Sequence, residues 1–338
     1  MKKLSLAYFG TPDFSAKFLE KLLSDKKIPV EVKLVVTQPD RPVGRKQTLT
    51  PSPVNEVAKK HRIPVLTSVR TRFSNIDLAL LFAYGEIIPK NLLEIPRYGF
   101  WNIHPSLLPK YRGPSPIAYP LIDGETETGV TIIKMDEKID HGPIIAQEKV
   151  RILPKERRPE LTMRLTDVAY RLLQHAIAKC HAELVLRLAP LAQNGERNRT
   201  ISVSASREPQ VLKLVQDDML VEQDHSKATY TKLLKKEDGH IEISNITLRQ
   251  AQGDGEQSRT IKYQISKTPE SLFNRFRGLY PWPGIWTKVR VKNKEKRLKI
   301  TDMDLVDGKV IIKKVQLEGK GEVDFRTFLR AYNIRSLT

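Results

Sequence analysis

The sequence predicts an α/β protein: a Rossmann-like, mostly parallel sheet with helices on both faces, followed by a small OB-like β-barrel domain. Two observations carry this prediction. Through the first half of the chain, short aliphatic runs alternate with stretches of helical periodicity, as in a parallel sheet joined by crossover helices. In the last third, two strand-like runs at 298–306 and 309–317 flank Asp307-Gly308, which is a strong signal for a two-residue hairpin turn.

The elements of the first half are predicted from local side-chain patterns. A helix that begins at Asp13 or Ser15 would be capped by that side chain. It presents Phe14, Phe18 and Leu22 on one face. The predicted strands lie at 4–9, 30–37, 78–83, 99–103, 130–135 and 144–152, and the other predicted helices lie at 54–61 and 161–188. We expect the last of these helices, which is long and amphipathic, to close the first domain.

The composition of the chain changes after the first domain. Residues 190–224 are polar and rich in serine and asparagine, which is typical of a linker. We therefore expect a first domain at 1–189, a linker with an inserted segment at 190–224, and a C-terminal β-barrel domain at 225–338. A short self-similarity between 192–201 and 251–261 favours inserted surface segments, because two copies are too few for a repeat architecture.

One cysteine and short apolar runs limit the class of protein. Cys180 is the only cysteine in the 338-residue sequence, which excludes an internal disulfide and favours a reducing compartment. The apolar runs, such as 78–83, are far shorter than the roughly 20 residues of a membrane span. The apolar stretch after the basic start ends at 10–13, too early for a signal peptide. We therefore expect a cytoplasmic protein that does not attach to a membrane.

The chain is strongly basic. Its formal net charge is +19 and its pI is near 9.8, and a charge of this size is tolerated mainly where a polyanionic partner exists. Nucleic acid is the first candidate, while a solvated basic surface is the alternative on charge alone. In the second domain, 25 positions contain a single acid, Glu295, and the cationic residues Arg275, Arg277, Lys288, Arg290, Lys292, Lys294, Lys296, Arg297 and Lys299. Trp282 and Trp286 could stack on nucleobases, but we favour packing in the barrel.

The densest set of functional side chains lies between Gly99 and Pro143. Asn102 and His104 are two positions apart at the end of a predicted strand, so their side chains point to the same side of the sheet. Open α/β sheets bind ligands outside this end of their strands. Asp140 lies in the loop after the strand predicted at 130–135. The sequence therefore predicts that an amide, an imidazole and a carboxylate converge at this edge.

These side chains match the needs of a formyl transfer. The reaction requires a donor for the developing oxyanion, a group that handles the proton of the attacking amine, and a carboxylate that orients that group. Asn102 suits the first role, His104 the second and Asp140 the third. Taken singly, each has a structural alternative, because a histidine near a proline is usually a hydrogen-bonded loop residue and an aspartate near a glycine usually makes a turn.

Other chemistries lack their motifs. Gly10-Thr11-Pro12-Asp13 follows the first strand, where a dinucleotide site would have GxGxxG, and the chain contains no GxxxxGKS or GxxxxGKT phosphate loop. HExxH and CxxC are also absent from the sequence. We therefore expect neither a dinucleotide nor a metal.

The order of residues resembles one family, the methionyl-tRNA formyltransferases, over nearly the whole chain. The motifs that carry the resemblance are FGTPDF at 9–14, TQPDRPVGR at 37–45, FAYGEIIP at 82–89, the block from Asn102 to Pro116, the loop from Asp136 to Pro143, and LYPWPGIWT at 279–287. In that family the residues that match Asn102, His104 and Asp140 form the catalytic trio. The resemblance implies a formyltransferase catalytic domain at 1–189 and a tRNA-binding barrel at 225–338.

The resemblance also implies the substrates and their binding residues. The formyl donor would be 10-formyltetrahydrofolate, and the acceptor would be the α-amino group of methionyl-tRNA. The folate is expected to lie against Phe82, Tyr84, Gly85, Ile88, Ser106, Leu107, Leu108 and Pro109. In that family the loop that matches Arg41, Arg45 and Lys46 contacts the tRNA. The cluster of cations in the second domain, rather than the resemblance, adds Arg275, Arg277, Lys288 and Arg290 as expected tRNA contacts. We expect the enzyme to be a monomer.

Two rival hypotheses and one departure accompany this interpretation. A related folate enzyme with a sugar nucleotide, a ribonucleotide or water as acceptor would share the first domain, but the basic second domain and the motif at 37–45 argue against it. A catalytically silent RNA-binding protein would have no need of an intact Asn102, His104 and Asp140. His141 stands where members of the family carry a small or hydroxyl residue, and a second imidazole there could alter the surroundings of Asp140.

Overall fold

The computed structural model describes residues 3–44, 46–68, 74–193, 220–241, 244–248, 261–264, 268–291 and 294–332. Within these residues the chain forms two compact units. The first comprises Met1–Pro116, Thr128–Val150 and Thr162–Thr231, and the second comprises Ile117–Glu127, Arg151–Leu161 and Lys232–Thr338. Most of the predicted linker at 190–224 and most of both self-similar segments lie outside the described residues.

A mostly parallel sheet lies at the centre of the first unit. Its strands are β1 (Leu4–Gly10), β2 (Val30–Val36), β5 (Val65–Leu66), β6 (Leu78–Phe82), β7 (Phe100–His104), β8 (Glu127–Lys134) and β9 (Ile144–Arg151). Two further strands, β3 (Arg41–Val43) and β4 (Thr48–Thr50), form a separate hairpin. Among the described residues the sheet has seven strands, in the order β5-β2-β1-β6-β7-β8-β9. The first five in this order are parallel, and β8 runs antiparallel to β7.

The strand order reverses between β1 and β6. From β1 the chain moves outward to β2 and β5, and it then returns to β6 on the other side of β1. The carboxyl ends of β1 and β6 therefore border the crevice in which open α/β sheets bind ligands. Gly10 ends β1 at this point, and a Cβ on it would lie 2.0 Å from Ser15 Oγ, so a larger residue does not fit.

Helices cover both faces of the sheet. The described α-helices of the first unit are α1 (Asp13–Ser24), α2 (Pro53–Lys60), α3 (Lys90–Leu93) and most of α5 (Arg158–Gln193). Those of the second unit are α4 (Ala118–Asp123), α6 (Pro269–Leu279) and α7 (Phe325–Ala331). Alternate residues of β1 face opposite ways. Tyr8 stacks on Phe18 of α1, whereas Ala7 and Phe9 share a core cluster with Leu92 of α3. None of the helices in the described part of the chain is both long and apolar enough to cross a membrane.

Antiparallel strands dominate the second unit. They are β10 (Ser244–Leu248), β11 (Ile261–Gln264), β12 (Ile285–Val291), β13 (Lys294–Val306), β14 (Lys309–Leu317) and β15 (Glu322–Asp324). Within the described ranges β12, β13, β14 and β15 form one sheet, and β10 pairs with β11. Asp307 and Gly308 join β13 to β14 with φ values of 49° and 68°, so the predicted hairpin turn is confirmed. The parallel sheet followed by this antiparallel region confirms the predicted fold class.

Helix α4 is an element that the sequence analysis did not predict. Both α4 and residues 151–161 belong to the second unit, although they precede the predicted linker. Pro116 and Pro120 read as turn signals, but Pro120 stands in the first turn of α4, where a helix tolerates proline. Helix α4 packs against α6 at Gly278, and a Cβ on Gly278 would lie 2.7 Å from the carbonyl oxygen of Ala118.

We expect Gly278→Ala to destabilise the second unit. Alanine favours a helix interior over glycine by about 1 kcal/mol, but overpacking against a fixed main-chain carbonyl costs about 1–3 kcal/mol. The midpoint of urea unfolding should therefore fall. Gly321→Ala is the matched control, because a Cβ at Gly321 meets no atom within 4 Å. A Gly278→Ala protein at least as stable as the Gly321→Ala protein would show that the two helices are not closely packed.

Candidate active site

Asn102 and His104 lie at the carboxyl end of β7. This strand pairs with β6 on one side and β8 on the other, and all five of its residues are buried. The exposed fractions of Asn102 and His104 are 7% and 4%. Because the two residues are two positions apart, they share one side of the sheet, as the sequence predicts.

Asp140 brings the three predicted catalytic side chains together. It lies in the loop between β8 and β9, and its Oδ1 accepts a hydrogen bond of 3.0 Å from Asn102 Nδ2. The same oxygen lies 3.5 Å from His104 Nδ1. Its other oxygen, Oδ2, accepts a hydrogen bond of 2.7 Å from the main-chain N–H of Gly113. The carboxylate is thus held from three directions.

The other ring nitrogen of His104 identifies its tautomer. His104 Nε2 lies 2.9 Å from the carbonyl oxygen of Tyr111. A carbonyl oxygen only accepts hydrogen bonds, so Nε2 is the donor of this pair. In the neutral imidazole, Nδ1 then carries the free electron pair and lies beside Asp140. Nδ1 is therefore the nitrogen that can take up a proton in this arrangement.

The loop after β6 carries the first group of residues that the resemblance assigns to folate. Ser15 Oγ donates to the carbonyl oxygen of Phe82, and Thr11 Oγ1 donates to that of Tyr84, each at 2.8 Å. Gly85 has a φ of +93°, which is strained for other residues. Phe82, Tyr84 and Ile88 are buried. The loop is therefore fixed beside the crevice by contacts from the start of α1.

The second group, Ser106 to Pro109, is held by Thr131 of β8. Thr131 Oγ1 donates to the carbonyl oxygen of Ser106 at 2.7 Å and accepts from the N–H of Leu108 at 3.2 Å. The Ser106 hydroxyl is fully buried and donates to the carbonyl oxygen of Lys110 at 2.7 Å. Its side chain is thus occupied within its own segment. Leu107 and Pro109, which are half-buried, are the members with surface to offer a ligand.

The predicted tRNA-binding residues of the first domain lie in and around the β3-β4 hairpin. Arg41 and Lys46 are exposed, and Arg45 lies outside the described residues. Arg41 Nη2 donates to Gln38 Oε1 at 2.8 Å. Gln38 is buried, and its Nε2 has no hydrogen-bond partner in the described part of the chain. This amide lies 4.0 Å from the position of a Cβ on Gly85, so it adjoins the loop assigned to folate.

The second unit presents cations on the outward side of β12 and β13. Lys288 and Arg290 alternate with buried residues and are exposed. Across the strand pair, Lys288 lies opposite Arg297, and Trp286 lies opposite Lys299. We call Lys288, Arg290, Arg297 and Lys299 the basic strip. Trp286 packs against His240, with ring centroids 4.6 Å apart, whereas Trp282 is 54% exposed and does not fit the predicted packing role.

Two further arginines of the second unit donate hydrogen bonds to main-chain carbonyl oxygens. Arg275 is half-buried and donates to the carbonyl oxygen of Asp238. Arg277 is only 5% exposed, and its Nη1 donates to the carbonyl oxygens of Leu153 and Glu156 at 3.3 and 3.4 Å. Burial lowers the pKa of Arg277, and nearby Glu156 opposes this shift. Because its guanidinium is enclosed by protein, Arg277 has little surface to offer RNA, and its assignment to tRNA binding stays a prediction.

Sequence reasoning missed three residues around the trio. Gly113 donates its N–H to Asp140. Only glycine suits this position, because its φ is +103° and a Cβ there would lie 2.9 Å from the main-chain oxygen of Thr231. Arg112 is 2% exposed, and Gln223 contacts both Arg112 and the Asp140 loop. The first two lie in the quoted block 102–116, but nothing in the local sequence distinguishes Gln223 from linker residues. In the described part of the chain no group of three metal-ligating side chains occurs.

We expect Thr131→Val to loosen the segment from Ser106 to Pro109. Valine has the same shape but leaves the N–H of Leu108 and the amide of Gln147, which donates to Thr131 at 2.7 Å, without this acceptor. The free energy of unfolding should fall by about 1–3 kcal/mol, measured in urea. Thr128→Val on the same strand is the control, since its buried hydroxyl has no partner in the described residues. Equal effects of the two substitutions would contradict this role for Thr131.

Comparison with known proteins identifies the family. The family model described as "Formyl transferase" matches residues 2–177. A methionyl-tRNA formyltransferase of Caldicellulosiruptor saccharolyticus is 32% identical over 98% of this chain and 98% of its own length. That of Chloroflexus aurantiacus is 35% identical over 84% of this chain and 76% of its own.

A solved structure supports the fold. The N-formyltransferase of Helicobacter canadensis, in complex with folinic acid and dTDP-3-aminofucose, aligns with 96% of this chain and 99% of its own at a TM-score of 0.50. At 16% identity this likeness concerns the fold alone. The match to the family model and the near full-length relatives decide the family: the chain belongs to the formyl transferases and, among them, to the methionyl-tRNA formyltransferases.

Proposed function

We propose that the chain transfers the formyl group of 10-formyltetrahydrofolate to the α-amino group of methionyl-tRNA, which forms the charged initiator for translation. The observation that carries this proposal is the contact of one carboxylate, Asp140, with both Asn102 and His104 at the carboxyl end of β7. The names of relatives that match the chain over most of its length support the same reaction.

Each of the three side chains has a different role in the proposed reaction. The amine nitrogen attacks the formyl carbon, and the oxyanion accepts the second Nδ2 hydrogen of Asn102, whose first is donated to Asp140. His104 Nδ1 takes the proton that the amine loses, and Asp140 stabilises the imidazolium. The bond from the formyl carbon to the folate nitrogen then breaks, and that nitrogen receives the proton. No other reactant is consumed.

The donor site is proposed to lie between the two fixed loops beside the trio. A folate has a flat ring that suits an apolar slot with main-chain donors and acceptors. Leu107 and Pro109 on one side and the loop from Phe82 to Ile88 on the other provide such groups, and Leu108 anchors the first loop. Gln38 Nε2, a buried donor near Gly85, is a further candidate to contact the bound substrate.

The acceptor is proposed to be held by cations of both units, of which Arg41, Lys46, Lys288 and Arg290 are exposed and Arg297 and Lys299 are half-buried. Arg41 and Lys46 in the first unit and the basic strip in the second can pair with phosphates, and the net charge of +19 favours a polyanion. We propose Arg45 as a third contact from the first unit. We also propose that the enzyme is a monomer and that it acts in the cytoplasm, the compartment to which both substrates point.

We expect Asn102→Ala to reduce kcat by about 100- to 1000-fold, the usual effect of removing one oxyanion donor. The affinity for folate should change little, because the loops that form the donor site remain fixed. The measurement is formyl transfer to charged initiator tRNA, with folate binding followed separately. Asn91→Ala, at an exposed position on α3, is the control and should match the parent protein. Unchanged turnover in Asn102→Ala would remove this residue from the mechanism.

One assay separates the proposed reaction from its rivals. The full chain is given 10-formyltetrahydrofolate together with charged initiator tRNA, charged elongator tRNA, an amino-sugar nucleotide, or no acceptor. We expect rapid formylation of the charged initiator tRNA and slow loss of formyl without acceptor. Preference for the sugar nucleotide or for water would indicate a related folate enzyme. RNA binding without turnover would indicate a silent RNA-binding protein.

We expect RNA affinity to fall steeply as salt rises. In a plot of the logarithm of the association constant against the logarithm of the salt concentration, each phosphate contact makes the downward slope steeper by about 0.7 to 0.9. Replacing Lys288 and Arg290 with alanine should therefore weaken binding and reduce the slope by about 1 to 2. Replacing the exposed Lys59 and Lys60 of α2 removes the same charge elsewhere. Equal effects of both pairs would mean that net charge, rather than the basic strip, governs binding.

A further inference from the structure

A segment that the sequence assigns partly to the linker lies against the loops of the candidate trio. Val221 and Ile144 exchange two main-chain hydrogen bonds, of 2.7 and 2.8 Å. Farther along, the N–H of Arg112 donates to the carbonyl oxygen of Thr229 at 2.9 Å, and the N–H of Thr231 donates to that of Arg112 at 2.7 Å. Residues 220–231, which we call the clasp, therefore join the loop that follows β7 to the region around Asp140.

One side chain of the clasp, Gln223, makes hydrogen bonds to both loops at once. It is 5% exposed, and its Nε2 donates to the carbonyl oxygens of Asp140 and Gly142 at 3.0 and 2.7 Å. Its Oε1 accepts from Arg112 Nη2 and Nε at 2.6 and 3.2 Å. A glutamine amide has two hydrogens to donate and two electron pairs to accept with. All four are used here.

The Asp140 loop has a backbone that needs such support. Asp140 has a φ of +49°, in the left-handed region that residues with a Cβ adopt less readily than glycine. Two residues later, a Cβ on Gly142 would lie 1.9 Å from the carbonyl oxygen of Lys134, so this turn is closely packed. The two hydrogen bonds from Gln223 fix the carbonyl groups on either side of His141. They therefore hold the turn that aims the Asp140 carboxylate.

The contact of Gln223 with Arg112 acts on the same carboxylate from the opposite side. Arg112 is 2% exposed, and its guanidinium also donates to His225 Nδ1 at 2.8 Å. The next residue, Gly113, donates its N–H to Asp140 Oδ2. By holding Arg112, Gln223 fixes the donor that Gly113 presents to Asp140. One side chain thus controls both the main chain of Asp140 and a partner of its carboxylate.

We infer that Gln223 is a positioning residue for the formyl transfer and that the clasp is part of the active site. Gln223 contacts no reacting group of the trio directly, since it acts through the main chain of Asp140 and through Arg112. This inference rests on the proposed function. The clasp, which directly precedes the second unit in the sequence, would thus support the reaction that takes place in the first unit.

The test compares Gln223→Glu and Gln223→Met in the full chain. Glutamate still accepts hydrogen bonds from Arg112, but its second carboxylate oxygen would repel the carbonyl oxygens of Asp140 and Gly142. Methionine keeps the length of the side chain but makes none of these hydrogen bonds. We expect kcat for charged initiator tRNA to fall about 10- to 100-fold in both variants, with KM for 10-formyltetrahydrofolate within about threefold of the parent. A kcat equal to that of the parent in either variant would overturn the inference.

A double-mutant cycle with Asp140→Asn distinguishes positioning from a general loss of stability. If Gln223 acts through Asp140, adding Gln223→Glu to Asp140→Asn should change kcat by less than about threefold, because the two effects are not additive. Multiplicative losses would show that Gln223 acts independently of Asp140, and would refute the inference.

Gln174→Glu is the matched control for the charge change. Gln174 Nε2 donates to Asp25 Oδ2 at 2.7 Å, so the substitution also removes an amide donor, but at a site away from the trio. It should lower the thermal unfolding midpoint while leaving kcat unchanged at temperatures well below unfolding. If the parent protein itself does not formylate methionyl-tRNA, the proposed function fails. If the parent is active and Gln223→Glu matches it, only the positioning role fails.

Discussion

The candidate site depends on one carboxylate with contacts on three sides. Asp140 accepts from Asn102 and from the main chain of Gly113, and it lies beside His104 Nδ1. Each contact fixes a different property: the orientation of an amide, the position of a loop and the environment of an imidazole. The arrangement of the trio therefore depends on the backbone conformation of the loop that carries Asp140.

The rest of the first unit maintains that geometry. β7 lies between β6 and β8, so Asn102 and His104 have little freedom. Thr131 ties the segment from Ser106 to the next strand, and Gln223 ties the Asp140 loop to Arg112. These supports differ in kind, since the sheet fixes the strand residues and side-chain hydrogen bonds fix the loops. Residues outside the trio, such as Thr131 and Gln223, thus restrict the conformations of the loops around it.

Much of this was predictable from sequence because it is local. The period of two places Asn102 beside His104, and Asp307-Gly308 specifies its hairpin without reference to the rest of the chain. A count of charges placed Arg277 in the tRNA-binding set, although such a count takes no account of burial within α6. Gln223 was missed because its partners lie about 80 or more positions away, and composition alone does not distinguish such a residue from a linker. Long-range side-chain contacts are the part that sequence patterns leave open.

The most direct test of the central claim is the single-turnover rate of formyl transfer by Asp140→Asn, with folate affinity measured on the same protein. Asparagine preserves the shape of the side chain but removes its charge. If the carboxylate organises the reaction, the rate should fall by roughly 1000-fold or more, as in other triads that lose this charge, while folate affinity stays within about threefold. A rate within tenfold of the parent would contradict the account, because the trio would then function without the group on which its geometry depends.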